Sequence, residues 1–535
     1  MKAKSAKSVL ALGLSVIMIT SLAACGGSTD TKENGSNKAE ETAGSGKKVT
    51  FPLKDKKKYS VFYQMNGEYE LEDNVTMQTL LNDANIEFDY QSVMGSDFSE
   101  KRNLVLSSGD YPDIFFKSNF WMPDLNKYGK QGIFLPLEDM IKEYAPNLTK
   151  KLDELDGWKY LKSGDGHIYS LPEINRQFGA VTPYWLNKKW MDNLGLKEPT
   201  NLDELYEVLK AFKEQDANGN GDPNDEIPIT ATDAVRLDLL LPYFDVGYDS
   251  ETKTAVIDDK LTYLPTSDVY KKFVEFVTKL YQEGILDKNA FTQKHEQQGA
   301  IGQSGDVLGS FFDAGAFLTV GRERDQDYQA LTPFKDGTYP LSSGFNPGAL
   351  ILTDKCKDPE VIIAWADQFY TEEGGISAIL GIEGKTWQKR EDGDWEWIVG
   401  KGYGDDIAAV RASSTIQGAA NHPSIWPDFW YEHMSPEVDP NEVYLNSERQ
   451  RIAEKGKVAL PVMQYSDEDA MTIATLKTDI DSYIDQYLAQ VATGALDLDK
   501  SWDDYKKTLD NMGAGQLTDI YQKAYKEGMK NSNEK

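Results

Sequence analysis

Cysteine is nearly absent. The 535-residue chain carries two, Cys25 and Cys356, so beyond Cys25 no internal disulfide can form and the fold must stand on packing. Histidine is almost as scarce: His167, His295, His422 and His433 are too dispersed to suggest a metal triad and read as structural or surface residues. Basic residues are outnumbered, 57 Lys and Arg against 87 Asp and Glu, giving a net charge of -30 and a pI near 4.6. Phosphate backbones need clustered cations, so nucleic acid is excluded as a partner. The acidic field also slows anionic ligands, which leaves a neutral one as the better fit. No Walker sequence, zinc motif or nucleophile elbow is present, so nothing supports ATP hydrolysis or covalent catalysis.

Long apolar runs are missing too. The one candidate, Val9 to Leu22, is shorter than the roughly 20 residues a spanning helix needs. With Lys2, Lys4 and Lys7 before it and Leu22-Ala23-Ala24 after it, it reads as a secretory signal with a small-residue cleavage site. A cysteine directly after Leu-Ala-Ala resembles the bacterial lipobox, which implies signal peptide 1–24 and a lipidated Cys25. An ordinary signal peptide with an incidental cysteine is the alternative. Residues 25–48 hold almost nothing apolar and cannot offset their ordering entropy, so they are expected to be a flexible tether. The body would then sit on the extracellular face of the cell membrane, lipid-anchored.

From Tyr59 on, strand and helix alternate. Tyr59 to Met65, Ile86 to Met94 and Ile114 to Phe116 read as strands, separated by helices over 75–85 and 97–108. Such a βαβαβ opening predicts a mostly parallel sheet, with ligands beyond the carboxyl ends of its strands, where Lys117 to Trp121 fall. Trp121 is either a cap on the helix 122–132 or a flat face for a sugar. Tyr184 and Trp185 open a strand leading into a helix that stops at Gly195, and Thr200 is expected to cap a helix over 201–215. Phe345 sits where 342–352 enters a strand. Trp387, Trp395, Trp397, Trp426, Phe429, Trp430 and Tyr431 crowd one region outside regular helical spacing, which points to a binding groove for at least two of them. The acidic segment from Asp467 onward reads as helices with core stripes at Ile480, Tyr483, Ile484, Tyr487 and Leu488, and at Trp502, Tyr505 and Leu509.

The segment 216–226, Asp-Ala-Asn-Gly-Asn-Gly-Asp-Pro-Asn-Asp-Glu, places oxygen-bearing side chains at alternate positions with Gly221 at the sixth. That matches the first half of an EF-hand-type loop, in which alternate side chains converge on calcium. It departs at its end, where position 12 is Ile227 and the acids fall on Asp225 and Glu226. A solvated Asn-Gly turn without metal is the alternative.

These marks together resemble a known family. Gly109 to Ile114, Trp190 to Leu196, the loop 216–221 closed by 225–228, Gly381 to Trp387 and the C-terminal 502–505 and 509–513 are similar to the solute-binding lipoproteins of bacterial ABC-type oligosaccharide importers, the large cluster that includes alginate-oligosaccharide binders. The resemblance implies a periplasmic-binding-protein-like α/β fold: two α/β lobes around a ligand cleft, with helical C-terminal additions. It divides the body into 49–175, the first part of an N-terminal lobe; 176–345, a second lobe with the calcium loop; and 346–535, a crossover returning to the N-terminal lobe, an aromatic cleft segment and C-terminal helices. It implies a structural Ca2+ held by Asp216, Asn218, Asn220, Asp225 and Glu226, with the Asp222 carbonyl at the middle position. It also implies a monomer with no chemistry of its own, which delivers an oligosaccharide to membrane permease subunits. Position after strands or within the aromatic crowd nominates Trp121, Tyr184, Trp185, Phe345, Trp387, Trp426 and Trp430 for the cleft. A surface-anchored glycoside hydrolase, which needs a pair of carboxylates across the cleft, and a peptide- or protein-binding lipoprotein remain as alternatives.

Overall fold

The βαβαβ opening is realised as β1 (Lys57–Gln64), β2 (Ile86–Val93) and β3 (Ile114–Phe116). In the computed structural model the described residues are 49–533, apart from 66–68, 95–96, 177–181, 223, 233–236, 417–420 and 459. The expected signal peptide, Cys25 and the tether therefore lie outside the described residues. The helix between β1 and β2, Val75–Ala84, starts where the Asn74 side chain accepts the Thr76 and Met77 amides, which satisfies two of its free N–H groups. All three residues of β3 are buried, as expected of an inner strand covered on both faces.

β4 (Leu171–Ile174) joins the same sheet, and so, after a long excursion, does the strand at 345–352. β5 (Tyr184–Asn187), β6 (Ser310–Phe312) and β7 (Tyr328–Ala330) form a separate antiparallel sheet in the order β7-β5-β6, and β8 is Phe345–Leu352. The main sheet has the order β2-β1-β3-β8-β4. β1, β2 and β3 are parallel, and β8 runs against both β3 and β4, so β4 points the same way as β3. One edge of this sheet thus gathers the carboxyl ends of β1 to β4 and the start of β8. The segment just before Trp426 extends that edge, since Ile425 bridges Ile174 in parallel.

Two large cores result. One packs the main sheet with Leu137, Ile141, Leu148, Leu152, Trp365 and Phe369 from its covering helices. The other gathers Tyr184 and Leu186 of β5, the helices Leu202–Glu214 and Asp268–Gln282, and the C-terminal helices, whose Ile480, Ile484, Tyr487, Trp502, Tyr505 and Leu509 form the expected stripes. Tyr487 and Tyr505 stack there with centroids 3.9 Å apart. The chain passes from the first core to the second after β4, returns at β8, and crosses again before the C-terminal helices. The helix over 202–214 is capped by Asn201, whose side chain accepts the Glu204 amide, rather than by Thr200; Thr200 donates its amide and hydroxyl to Glu204 instead. His295–Ser304, expected only as Gly-rich chain with short apolar runs from 299 on, is helical. Among the described residues no helix is long and apolar enough to cross a membrane.

A smaller block fills residues 379–434. Its strands Trp387–Lys389 and Trp395–Trp397 pair antiparallel, with Trp387 opposite Trp397 and Lys389 opposite Trp395. Side chains two apart on a strand share a face. Trp395 and Trp397 therefore turn inward together, onto Trp430, Val410 and Met434.

Candidate functional site

The carboxyl-end edge of the main sheet is where this fold collects polar groups. Past β3 the backbone turns through Lys117 and Asn119 in the left-handed region, φ 49° and 47°, a conformation that costs a non-glycine residue about 1 kcal/mol. Its neighbours hold it there. The Lys117 amide donates to the Ala349 carbonyl and its carbonyl accepts from the Gln64 amide. Arg102 donates to the carbonyls of Ser118 and Asn119, with its guanidinium over the Phe120 ring. β8 bulges at Gly348, φ 79°, where any Cβ would lie 2.1 Å from the Phe120 carbonyl oxygen, so only glycine lets the two segments touch.

Glu173 of β4 is the centre of this edge. Its Oε1 accepts the Trp426 indole N–H at 3.0 Å and its Oε2 accepts the Asn346 amide at 3.1 Å. His422 Nε2 lies 3.2 Å from Oε1 but is not aligned as a hydrogen bond; its other nitrogen pairs with the Ser424 hydroxyl. Burial raises the Glu173 pKa above the usual carboxylate range, against the pull of Trp426, Asn346 and Lys117. Burial likewise pushes Lys117 down to about 7, with Glu173 opposing. His422 is pushed down to about 3, by burial first and by Lys117 second, and stays neutral. Asn421 ties the same loop across the edge, taking Asn119 Oδ1 on its amide and donating its side chain to the Pro347 carbonyl. The Tyr431 hydroxyl donates to Asn175. A cradle of carboxylate, amide and indole groups with one counter-charge suits a neutral, hydroxyl-bearing ligand.

Three exposed apolar side chains follow the carboxyl ends of adjacent strands: Tyr69 after β1, Met94 after β2 and Trp121 after β3, the last 67% exposed. Trp121 is the cap residue of Met122–Lys130, as one reading expected, but makes no side-chain cap bond, so its ring stands free beside the edge.

Of the seven rings nominated for a cleft, Trp121 and the partly buried Trp426 lie at this edge with open surface. The other five are buried by packing. Tyr184 bonds Ser310 and stacks on Phe312; Trp185 donates to the Asp313 carbonyl; Phe345 lies at the edge but stacks on Tyr160; Trp387 packs against Phe429; and Trp430 stacks on Trp395. Each is 5% exposed or less, which offers no face to a sugar in this conformation. The aromatic crowd is thus mainly the core of its own small block. Glu173, Asn346 and Asn421 were not singled out from sequence, and His422 was read there only as a structural or surface residue. The available signal was the acid in Leu171-Pro172-Glu173-Ile174, since a polar residue inside a buried strand is more informative than an exposed one.

In the acidic loop, Asp216 Oδ2 accepts the Gly221 amide, with Gly221 at φ 93°, and Glu226 Oε1 accepts the Ala217 amide. Asn218 and Asn220 both donate to Asp225, and their Oδ1 atoms turn back onto the Asn220 and Asp222 amides. Asp222 itself accepts from Asn224. The remaining oxygens, Asp216 Oδ1 and Glu226 Oε2, are buried with no hydrogen-bond partner. Burial, and then the Asp225 charge, raise the Glu226 pKa. Among the described residues no three His, Cys, Asp or Glu side chains already converge as a metal cluster. Two orphaned buried carboxylate oxygens in an oxygen-rich loop nevertheless fit a hard cation, because an uncompensated buried acceptor costs on the order of 1 to 3 kcal/mol.

The model of the bacterial extracellular solute-binding protein family matches residues 70–376. Over 96% of each chain the sequence is 29% identical to the fructooligosaccharide ABC transporter substrate-binding protein FusA of Streptococcus pneumoniae. The fold superposes on that protein in complex with kestose with a TM-score of 0.72 at 26% identity, covering 89% of this chain and 100% of the other. The same values hold for its EF-hand mutant in complex with fructo-nystose.

Proposed function

The chain belongs to the bacterial extracellular solute-binding proteins, and on that premise we propose that it is the cell-surface substrate-binding component of an ABC importer and captures a neutral oligosaccharide. The observation that carries the reading is the sheet edge at which Glu173, Asn346, Asn421 and Trp426 meet while Trp121 stands free beside it. Side-chain amides bond hydroxyls, and an indole face stacks on a sugar ring. The kestose complex of the similar pneumococcal protein favours a fructose-containing oligomer among neutral sugars. The two cores act as lobes that close on the sugar, with the passes of chain between them as hinges. The closed monomer then docks on permease subunits of the membrane, to which a lipidated Cys25 tethers it.

Calcium completes the loop in this reading. Asp216, Asn218, Asn220, Asp225 and Glu226 hold it by side chains and Asp222 by its carbonyl, and its role is structural. The EF-hand named in the similar protein supports the assignment.

The role is binding without chemistry. A hydrolase would pair Glu173, with its raised pKa, with a second carboxylate across the cleft, whereas the charge acting on Glu173 is that of Lys117. Calorimetric titration of the mature chain with kestose and with an acidic oligouronide, calcium present, tests the proposal. Saturation near one kestose per chain, with the sugar recovered intact and no heat from the uronide, is expected. Shortened sugar in the effluent would favour the hydrolase, and uronide binding alone would overturn the neutral ligand.

A further inference from the structure

Glu173 lies where three separate passes of the chain meet: β4, which carries it; the start of β8, which supplies Asn346; and the segment 421–426, which supplies His422 and Trp426. The passes are also joined through the backbone. The Ile174 amide donates to the Ser424 carbonyl and the Trp426 amide to the Ile174 carbonyl, and Asn346 is the register partner of Glu173. The indole N–H bond to Glu173 ties the Trp426 ring into this frame at its polar edge. The ring packs edge-on against Trp430 at 5.6 Å and lies 6.3 Å from the His422 ring, so its rear is backed by the small aromatic block. The Glu173 side chain keeps only 13% exposure, with both oxygens engaged by protein donors.

We infer that Glu173 is a positioning residue of the ligand cleft: it fixes the Trp426 ring as the platform for a sugar and acts through that ring, not by touching the ligand. The inference rests on the reading that Trp426 faces an oligosaccharide. A ring held by its N–H binds at lower ordering cost than one that must settle on contact. Glu173→Gln keeps size and burial but replaces one acceptor oxygen with an amide donor, so either Trp426 or Asn346 loses its partner. It also removes the counter-charge of buried Lys117, so some loss of stability accompanies the loosened platform.

The test uses the full mature chain as wild type, Glu173→Gln, Trp426→Phe and the double variant, with kestose as the probe. Affinity is expected to fall roughly tenfold in Glu173→Gln, as for the loss of one buried hydrogen bond. In the Trp426→Phe background the same change is expected to cost nothing further, since neighbours acting as one unit are not additive. Additive losses would overturn the inference. A ligand-free readout separates it from the binding proposal. Acrylamide quenching is expected to rise in Glu173→Gln relative to wild type, and this difference is expected to vanish when Trp426 is Phe. If wild type fails to bind kestose but this quenching difference appears, the ligand reading fails and the positioning by Glu173 stands. If kestose binds and no quenching difference appears, the positioning role is overturned.

Discussion

Glu173 and Glu226 are both buried glutamates with raised pKa values, yet they end in opposite states. Glu173 has both oxygens engaged, by an indole and a side-chain amide. Glu226 has one oxygen on a backbone amide and the other on nothing. The difference separates two uses of a buried acid. Where neutral side-chain donors satisfy the carboxylate, it orients its donors, and its own charge is balanced nearby by Lys117. Where the surroundings are more oxygens, as in the loop 216–226, the carboxylate is left short of a partner, which a bound cation supplies in the reading proposed above.

The sharpest way to break this comparison is to withdraw divalent ions. At a thousandfold excess over its dissociation constant a native-state ligand stabilises by about 4 kcal/mol. Chelation is therefore expected to lower the thermal midpoint of the wild-type chain, and added calcium to restore it. Glu226→Gln is expected to melt low with or without calcium, whereas Glu173→Gln keeps the full calcium shift. A calcium shift that survives in Glu226→Gln, or is lost in Glu173→Gln, would erase the distinction between the two acids. Scanning calorimetry of the three proteins decides it.

Acid sharpens the comparison from the other side. The folded pKa of His422, about 3, lies below its ordinary 6.5, so between those values the unfolded chain binds a proton that the folded chain refuses. Stability is lost as the pH falls from about 6.5 toward 3, by on the order of 3 kcal/mol. Glu173 works in the opposite sense, because its raised pKa means that protonation relieves a burial penalty. Lys117, at about 7 against 10.5, makes stability rise between those two values. His422→Gln, which can still bond Ser424, is expected to flatten the acid limb and leave the alkaline one. Denaturant midpoints measured from about pH 3 to pH 10 in the two proteins check this, and an unchanged acid limb would remove His422 from the cluster.

Periodicity and punctuation made much of the fold legible. The βαβαβ opening, the helix over 268–282 and the C-terminal stripes all follow from spacing that one buried face imposes. The loop could be singled out because calcium chemistry, which we propose for it, places oxygen-bearing side chains at alternate positions of one short segment. The cleft was not, because Glu173, Asn346 and Trp426 lie far apart in the chain and meet only through a sheet order, β3-β8-β4, that local pattern does not encode. The aromatic crowd misled for a related reason. Trp395-Glu396-Trp397 has the period of a strand with one buried face, and only its pairing with Trp387 shows that the face closes on itself.

The smallest expected effect tests the donors instead of the acids. At Glu226 the donor is the Ala217 backbone amide, which no side-chain substitution removes; at Glu173 it is the side chain of Asn346. Asn346→Ala deletes one of two donors and leaves Glu173 Oε2 unsatisfied, while Trp426 stays bonded to Oε1. A stability loss of about 1 kcal/mol is expected, partly offset because the freed carboxylate protonates more readily. Kestose affinity is expected to change by less than about threefold, since the ring keeps its N–H partner. The loss is expected to shrink as the pH falls, because a protonated Glu173 needs one acceptor contact fewer. Denaturant titration of Asn346→Ala at pH 7 and pH 5 reads that difference. A loss independent of pH would show that Asn346 packs beside Glu173 without sharing its charge.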